Sequence, residues 1–264
     1  MSSDFADLIE LARIREEGDW TSNIPDGWDF MGVPNGGLVS SVMATALVAA
    51  TERPDPITST THFLRPARPG PVAIETEIIR KGRSLTTARA ELTQNDTLVA
   101  HMVASLGDLT DTGEVIVDLD LPPLPPPEEC VGAEEAPAFE FPPIAQRMNI
   151  RLHPDQVGFA TGHPSGEAVV SGWVDIPFTS STALMPLVSD ALPPSLFNSG
   201  EYLGPLPTIE LTVHTHARPS RGPVAARFRT DHAGPRYVEE DGWTSDSSGK
   251  LIAVSRQIAI LPAR

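Results

Sequence analysis

Thr61-His62-Phe63-Leu64-Arg65-Pro66-Ala67-Arg68-Pro69-Gly70-Pro71-Val72 and Thr215-His216-Ala217-Arg218-Pro219-Ser220-Arg221-Gly222-Pro223-Val224 are two versions of one passage. Each leaves a run of β-forming residues, turns through Arg, Pro and Gly, and enters a second β run at a valine. The two superpose with a small gap, and further on Leu98-Val99-Ala100 lies over Leu251-Ile252-Ala253. A repeat present twice is a tandem duplication. A solenoid would need three or more copies.

Working outward, the first passage is flanked by β-type stretches over 57–65, 72–80, 85–94 and 98–106, separated by turn residues such as Lys81-Gly82 and Asn95-Asp96. Ahead of them, Asn35-Gly36-Gly37 opens a run over 38–50 that is apolar or small on every side. A helix with no polar face is a buried helix. The second half repeats the order. An apolar helix is expected over 180–192, stopped by Pro193-Pro194, and strands are expected over 208–216, 224–230, 236–245 and 251–261.

Between the halves, nine acids and no Lys or Arg fall in 111–140, together with Pro122, Pro123, Pro125, Pro126, Pro127 and Pro137. Proline removes amide donors and favours extended backbone, so this stretch is expected to link two modules and to cross the outside. The division is 1–109, 110–145 and 146–264. The formal charge of −16, over half of it in that stretch, argues against nucleic acid as a partner. No apolar run is long enough for a membrane span and the first residues are acidic, so a cytoplasmic protein is expected. The single cysteine, Cys130, supplies neither an internal disulfide nor a multi-cysteine metal site.

A slim, all-round apolar helix followed by a long antiparallel sheet fits a sheet wrapped around one central helix. Two such modules give an α+β, double-hotdog fold. The double-glycine helix start, the repeated Arg-Pro/Gly-Pro turn and the acidic linker resemble the bacterial type II acyl-CoA thioesterases and thioesterase-like proteins, over about 28–261. In that family an Asp of the second helix, a Thr opening the next strand and a Gln late in the final strand hold the attacking water. The resemblance assigns these roles to Asp190, Thr208 and Gln257. Asn35 departs from the aromatic residue and nearby histidine that many members carry, and the loop from Asp190 to Thr208 is short. Homodimerisation of double-hotdog chains is also implied.

Thioester hydrolysis needs a water aimed at the carbonyl, a proton acceptor, and donors for the oxyanion. Asp190, the only ionisable member of the set, is general base or orients the water; Thr208 and Gln257 fix it. Backbone N–H groups at Gly36 or Gly37, at the first turn of the buried helix, are the candidate oxyanion hole. The substrate is an acyl-CoA, and no cofactor or metal is called for. Each residue also has an ordinary structural alternative: a helix-end carboxylate, satisfied strand side chains, a tight turn. In the repeat, Ala104 takes the place of Gln257, so one productive site per chain is expected.

Other constellations carry less. His214 and His216 share a strand face but have no third ligand nearby in sequence. Ser165 and Ser199 lie in Pro/Gly contexts without a Gly-x-Ser-x-Gly elbow, and no P-loop or dinucleotide fingerprint occurs. Arg80, Lys81 and Arg83 crowd one turn, while Arg65, Arg68, Arg218 and Arg221 flank the two Pro-Gly turns. They suit coenzyme A phosphates or simply keep the turns soluble. A hotdog hydratase would need a His near the helix Asp, and none lies within ten residues of Asp190 or Gly36. A non-catalytic binder of acyl thioesters or apolar ligands is the remaining alternative.

Overall fold

The structure, a computed structural model, describes residues 12–15, 18–30, 32–110, 114–132, 135, 141–176, 181–202 and 204–262. Its strands are β1 (Ala12–Arg15), β2 (Asp19–Ile24), β3 (Asp29–Phe30), β4 (Val33–Pro34), β5 (Asp55–Phe63), β6 (Gly70–Lys81), β7 (Thr86–Gln94), β8 (Thr97–Gly107), β9 (Val131–Gly132), β10 (Arg151–Leu152), β11 (Val169–Val174), β12 (Thr208–Thr215), β13 (Val224–Ala233), β14 (Tyr237–Ser245) and β15 (Leu251–Ile260). The α-helices are α1 (Gly36–Thr51), α2 (Pro143–Arg147) and α3 (Met185–Val188). Thirteen strands form one antiparallel sheet in the order β1-β2-β6-β7-β8-β5-β12-β15-β14-β13-β11-β10-β9. Read outward from the β5/β12 junction, the order on one side repeats the order on the other. This is the double hotdog, its two halves joined edge to edge.

The centre of that symmetry is a residue pair. Thr60 faces Thr212 across the β5/β12 junction, with their hydroxyls 2.8 Å apart. Equal steps from this pair carry His62 onto His214, Phe63 onto Thr215 and Gly70-Pro71-Val72 onto Gly222-Pro223-Val224. The superposition made from sequence therefore shifts by two residues along the strand and needs no gap. Hydrogen bonds agree with the shift: Leu64 and Arg65 both donate their amides to the Val99 carbonyl, and His216 and Ala217 both donate to that of Ile252.

α1 is buried as its composition requires, with Leu38, Val42, Met43 and Leu47 fully enclosed. Its start is fixed by Asn35, whose Oδ1 accepts from the Leu38 amide at 2.9 Å. The second module's helix is shorter than expected. A 3-10 turn at Thr182–Leu184 runs into α3, which ends at Val188; residue 180 lies outside the described residues. The run cannot continue, because Pro193 and Pro194 follow and the Asp190 carbonyl is already taken by the Asn35 side-chain amide at 2.7 Å. The short helix presses on α1, where Ser41 Oγ accepts from the Leu187 amide at 3.1 Å.

The described part of the proline-rich stretch crosses the outer face of the second half-sheet. Its prolines donate nothing but their carbonyls accept: Trp173 Nε1 donates to Pro125 at 2.7 Å, and Arg151 donates to Pro127 and Cys130 at 2.7 Å each. One apolar cluster runs through both modules, from Ile24, Leu38 and Met102 to Phe159, Phe228 and Ile252.

Candidate active site

Asp190 ends the turn that follows α3, at the point where α3 meets the start of α1. Its Oδ2 accepts from the Gly37 amide and from Asn35 Nδ2, both at 2.9 Å. Asn35 thus caps its own helix with one end of its amide and binds the opposite module with the other. Gly37 is glycine because of this contact: a Cβ would lie 2.3 Å from the Pro186 carbonyl oxygen and 2.8 Å from Leu187 Cα. At Gly37 the close approach is between helices. At Gly36 a Cβ would meet the Phe63 ring edge at 3.0 Å and Asp190 Oδ2 at 3.3 Å, which leaves that turn facing the carboxyl group.

Asp190 is half-buried as a residue, but its carboxyl group is enclosed. Desolvation pushes it up to about 7, against the Gly37, Gly36 and Asn35 donors, and the negative charge of Glu240 adds to the rise. A carboxyl group held there exchanges protons near neutral pH.

Thr208, at the start of β12, donates its hydroxyl to Gln257 Oε1 at 3.0 Å. Gln257, on β15, donates through Nε2 to Glu240 Oε1 at 2.7 Å. Glu240 is 6% exposed, and its other oxygen accepts from both the amide and the hydroxyl of Ser195 at 2.6 Å. Burial raises the Glu240 carboxyl, while Ser195 and Gln257 oppose the rise and Asp241 adds to it. Sequence reasoning missed this residue. A signal existed: along β14 positions 238, 240, 242 and 244 alternate inward, but Glu240 stands in the acidic run Glu239-Glu240-Asp241, which reads as a solvated face. Asn35 was noted only for its place before the glycines.

The pseudo-twofold axis separates the two modules chemically. Equal steps from Thr60/Thr212 match Pro56 to Thr208 and Ser59 to Leu211, and strand pairing then matches Ala104 to Gln257 and Ala88 to Glu240. All three polar side chains belong to the second module. The first contributes Asn35 and the glycine turn.

The remaining candidates lie elsewhere. His214 and His216 are exposed, and no group of three or more His, Cys, Asp or Glu side chains suited to a metal occurs among the described residues. Arg218 is committed to Asp55, through Nε at 3.1 Å and Nη2 at 2.5 Å, and so is not free for a phosphate. Arg80, Lys81 and Arg83 are exposed at their turn. A cavity of about 910 Å³ between residues 118–127 and the outer sheet face touches none of Asp190, Thr208 and Gln257. No helix of the described residues is long and apolar enough to cross a membrane.

Profiles described as the acyl-CoA thioesterase N-terminal domain and the acyl-CoA thioesterase C-terminal domain match residues 24–107 and 127–261. The chain belongs to the acyl-CoA thioesterase family. Among solved structures, this family member is similar to a putative thioesterase II from Thermobifida fusca, with TM-score 0.89 and 26% identity over 97% of this chain and 98% of that one. It shares its fold with a hot dog protein of unknown function from Alicyclobacillus acidocaldarius (TM-score 0.84, 22% identity, 98% of each chain). The same fold occurs in the acyl-CoA thioesterase II TesB2 of Mycobacterium marinum (TM-score 0.74, 17% identity, 98% of each chain). An uncharacterised protein of Mycobacterium tuberculosis strain H37Rv is 24% identical over 255 residues, covering 86% of this chain and 84% of the relative.

Proposed function

We propose that this thioesterase-family chain hydrolyses an acyl-CoA thioester to free acid and coenzyme A, with Asp190 as general base and Thr208 and Gln257 holding the attacking water. The observation that carries the reading is the polarity of the hydrogen-bond chain. Thr208 spends its proton on Gln257 Oε1, so its lone pairs are open to a water O–H. Gln257 spends one N–H on Glu240 and keeps a second donor for the water oxygen. A water giving one proton to Asp190 and one to Thr208, and accepting from Gln257, retains one lone pair to attack the carbonyl carbon.

In the step so supported, the water oxygen bonds to the carbonyl carbon as its proton passes to Asp190. The tetrahedral oxyanion then collapses, the C–S bond breaks, and the proton on Asp190 goes to the departing thiolate. For the oxyanion, the Gly36 and Gly37 amides at the start of α1 are the candidate donors; both also act on Asp190, Gly37 at 2.9 Å. The chain is divided for this purpose at 1–109, 110–145 and 146–264, and the homodimer implied by the resemblance is carried forward. Light scattering checks the dimer: a mass of one 28.3 kDa chain at working concentrations removes it.

The test is thiol release from a panel of acyl-CoAs of different chain lengths, with Asp190→Asn as comparison. Turnover lost in the variant is expected. Binding of acyl-CoA by the wild type without any thiol release would leave a non-catalytic binder instead.

A further inference from the structure

Glu240 takes no part in the water-holding set named above, yet it is a buried acid hydrogen-bonded to Gln257. We infer that Glu240 is a positioning residue that locks the Gln257 side chain with its amide nitrogen toward Glu240 and its oxygen toward Thr208, so that Gln257 faces the reacting centre as an N–H donor. The inference deepens the hydrolase reading and rests on it for its catalytic consequence.

Three observations carry it. An amide side chain can flip, exchanging donor for acceptor at nearly the same positions. Glu240 Oε1, an acceptor 2.7 Å from Gln257 Nε2, disfavours the flipped state, which would set two acceptors face to face beside a buried carboxylate. Next, Glu240 is itself immobilised: Ser195 donates amide and hydroxyl to its second oxygen, and the Ser195 hydroxyl also lies 2.9 Å from the Thr230 hydroxyl. Last, the symmetry shows what happens where no amide must be aimed. The matching pair in the first module is Ala88 and Ala104, both buried, so the sheet packs at this position without any polar group. A buried carboxylate and a half-buried amide are costly additions to positions that alanine fills, unless they serve the site.

The charge of Glu240 has a second effect. Among the charged groups, Glu240 is the one acting on Asp190, whose other neighbours are the Asn35, Gly36 and Gly37 donors. The charged group acting on Glu240 from its own strand is Asp241, beside the Ser195 and Gln257 donors. Removing the Glu240 charge therefore lets the Asp190 proton leave at lower pH.

The test uses the full chain, with Glu240→Gln, Gln257→Ala and the double variant Glu240→Gln/Gln257→Ala, assayed on one good acyl-CoA. Expected are a kcat lower by about 100-fold in Glu240→Gln with KM within about 3-fold, the scale on which misplacing a catalytic group acts. Also expected are no further loss when Glu240→Gln is added to Gln257→Ala, and an acid limb of the pH profile displaced downward. A wild-type kcat in Glu240→Gln would overturn the inference, as would a loss of equal factor in the Gln257→Ala background. Should Glu240→Gln not fold, the wild-type NMR signal of the Gln257 side-chain amide decides, since it needs neither the variant nor turnover. Two inequivalent, slowly exchanging N–H protons support the lock, and rapidly exchanging ones refute it. If the wild type releases no thiol from any acyl-CoA, the hydrolase reading fails while this signal still reports on the lock.

Discussion

Both bonds that reach the Asp190 side chain from Asn35 and Gly37 land on Oδ2, so an asparagine that turns its oxygen to the same place keeps them. Asp190→Asn is therefore a shape-preserving change that removes the proton acceptor. It is expected to lower kcat/KM by about 100- to 10,000-fold, the usual range for general-base loss. Adding Gln257→Ala should cost scarcely more, because residues acting on one water are not additive. Ala104→Ser, at the matching position of the first module, should leave the rate nearly unchanged; steady-state kinetics on purified variants check all three. Protonation gives a further expectation. With the carboxyl raised to about 7, kcat/KM should climb through that pH as the base ionises. Stability runs the opposite way, since the folded chain holds this proton more tightly than the unfolded one. That contribution is complete below the ordinary carboxylate range near pH 4 and is lost as pH rises through about 7. Asp190→Asn should thus be stabilising at pH 8, by on the order of 2 kcal/mol after allowance for partial exposure, and nearly neutral at pH 4. Thermal melts at the two pH values test the sign.

At the scale of elements, the two glycines that open α1 separate. Gly37 lies against the backbone of α3, and backbone cannot move aside as a side chain can. Gly37→Val is expected to lose at least about 3 kcal/mol, at the upper end for overpacking, and turnover would fall with the fold. Gly37 therefore serves the fold as well as the candidate oxyanion hole, because the Pro186 carbonyl leaves no room for a side chain. Gly36→Ala meets side chains and no backbone: the edge of the Phe63 ring, which can swing, and Asp190 Oδ2 at 3.3 Å. It should melt close to wild type, and any loss of rate would then report on the turn facing Asp190. A Gly37→Ala protein with unchanged Tm would mean that α1 and α3 are less closely set than described.

For the whole molecule, the joint between modules has two parts. Along the sheet it is the β5/β12 pairing about Thr60 and Thr212. At one end it is Asp55, 2% exposed, which holds Arg218, the Thr182 hydroxyl at 2.9 Å and the Leu109 amide at 2.8 Å. Asp55 belongs to the first module and its Arg and Thr partners to the second. Asp55→Ala strands a half-buried arginine and is expected to cost about 3 kcal/mol, the lower end for breaking a buried pair. With one core cluster spanning both halves, it should lower a single calorimetric transition and not split it in two. Two separated transitions in the wild type would contradict that continuity.

The eight strands of the two repeats, β5–β8 and β12–β15, were legible in the sequence to within a few residues, whereas β2 and β11, which flank them in the sheet, were not read. Alternation, β-branched content and Pro/Gly turns are local properties, and the tandem repeat doubled every signal. The all-round apolar helix announced its own burial for the same reason. Asp190, Thr208 and Gln257 could be named from resemblance, but not the hydrogen-bond chain from Thr208 through Gln257 to Glu240, which joins residues that sequence holds apart. Tertiary structure decided how α3 is held: the prolines that stop the run were visible in the sequence, but the Asn35 amide that takes the Asp190 carbonyl comes from the other module. It likewise decided that Gly37 serves helix packing and that Arg218 is spent on Asp55. Glu240 is the clearest case: its inward direction follows from the period of a strand, but its value as a buried acid depends on Ser195 and Gln257, which only the folded sheet puts within reach of its two oxygens.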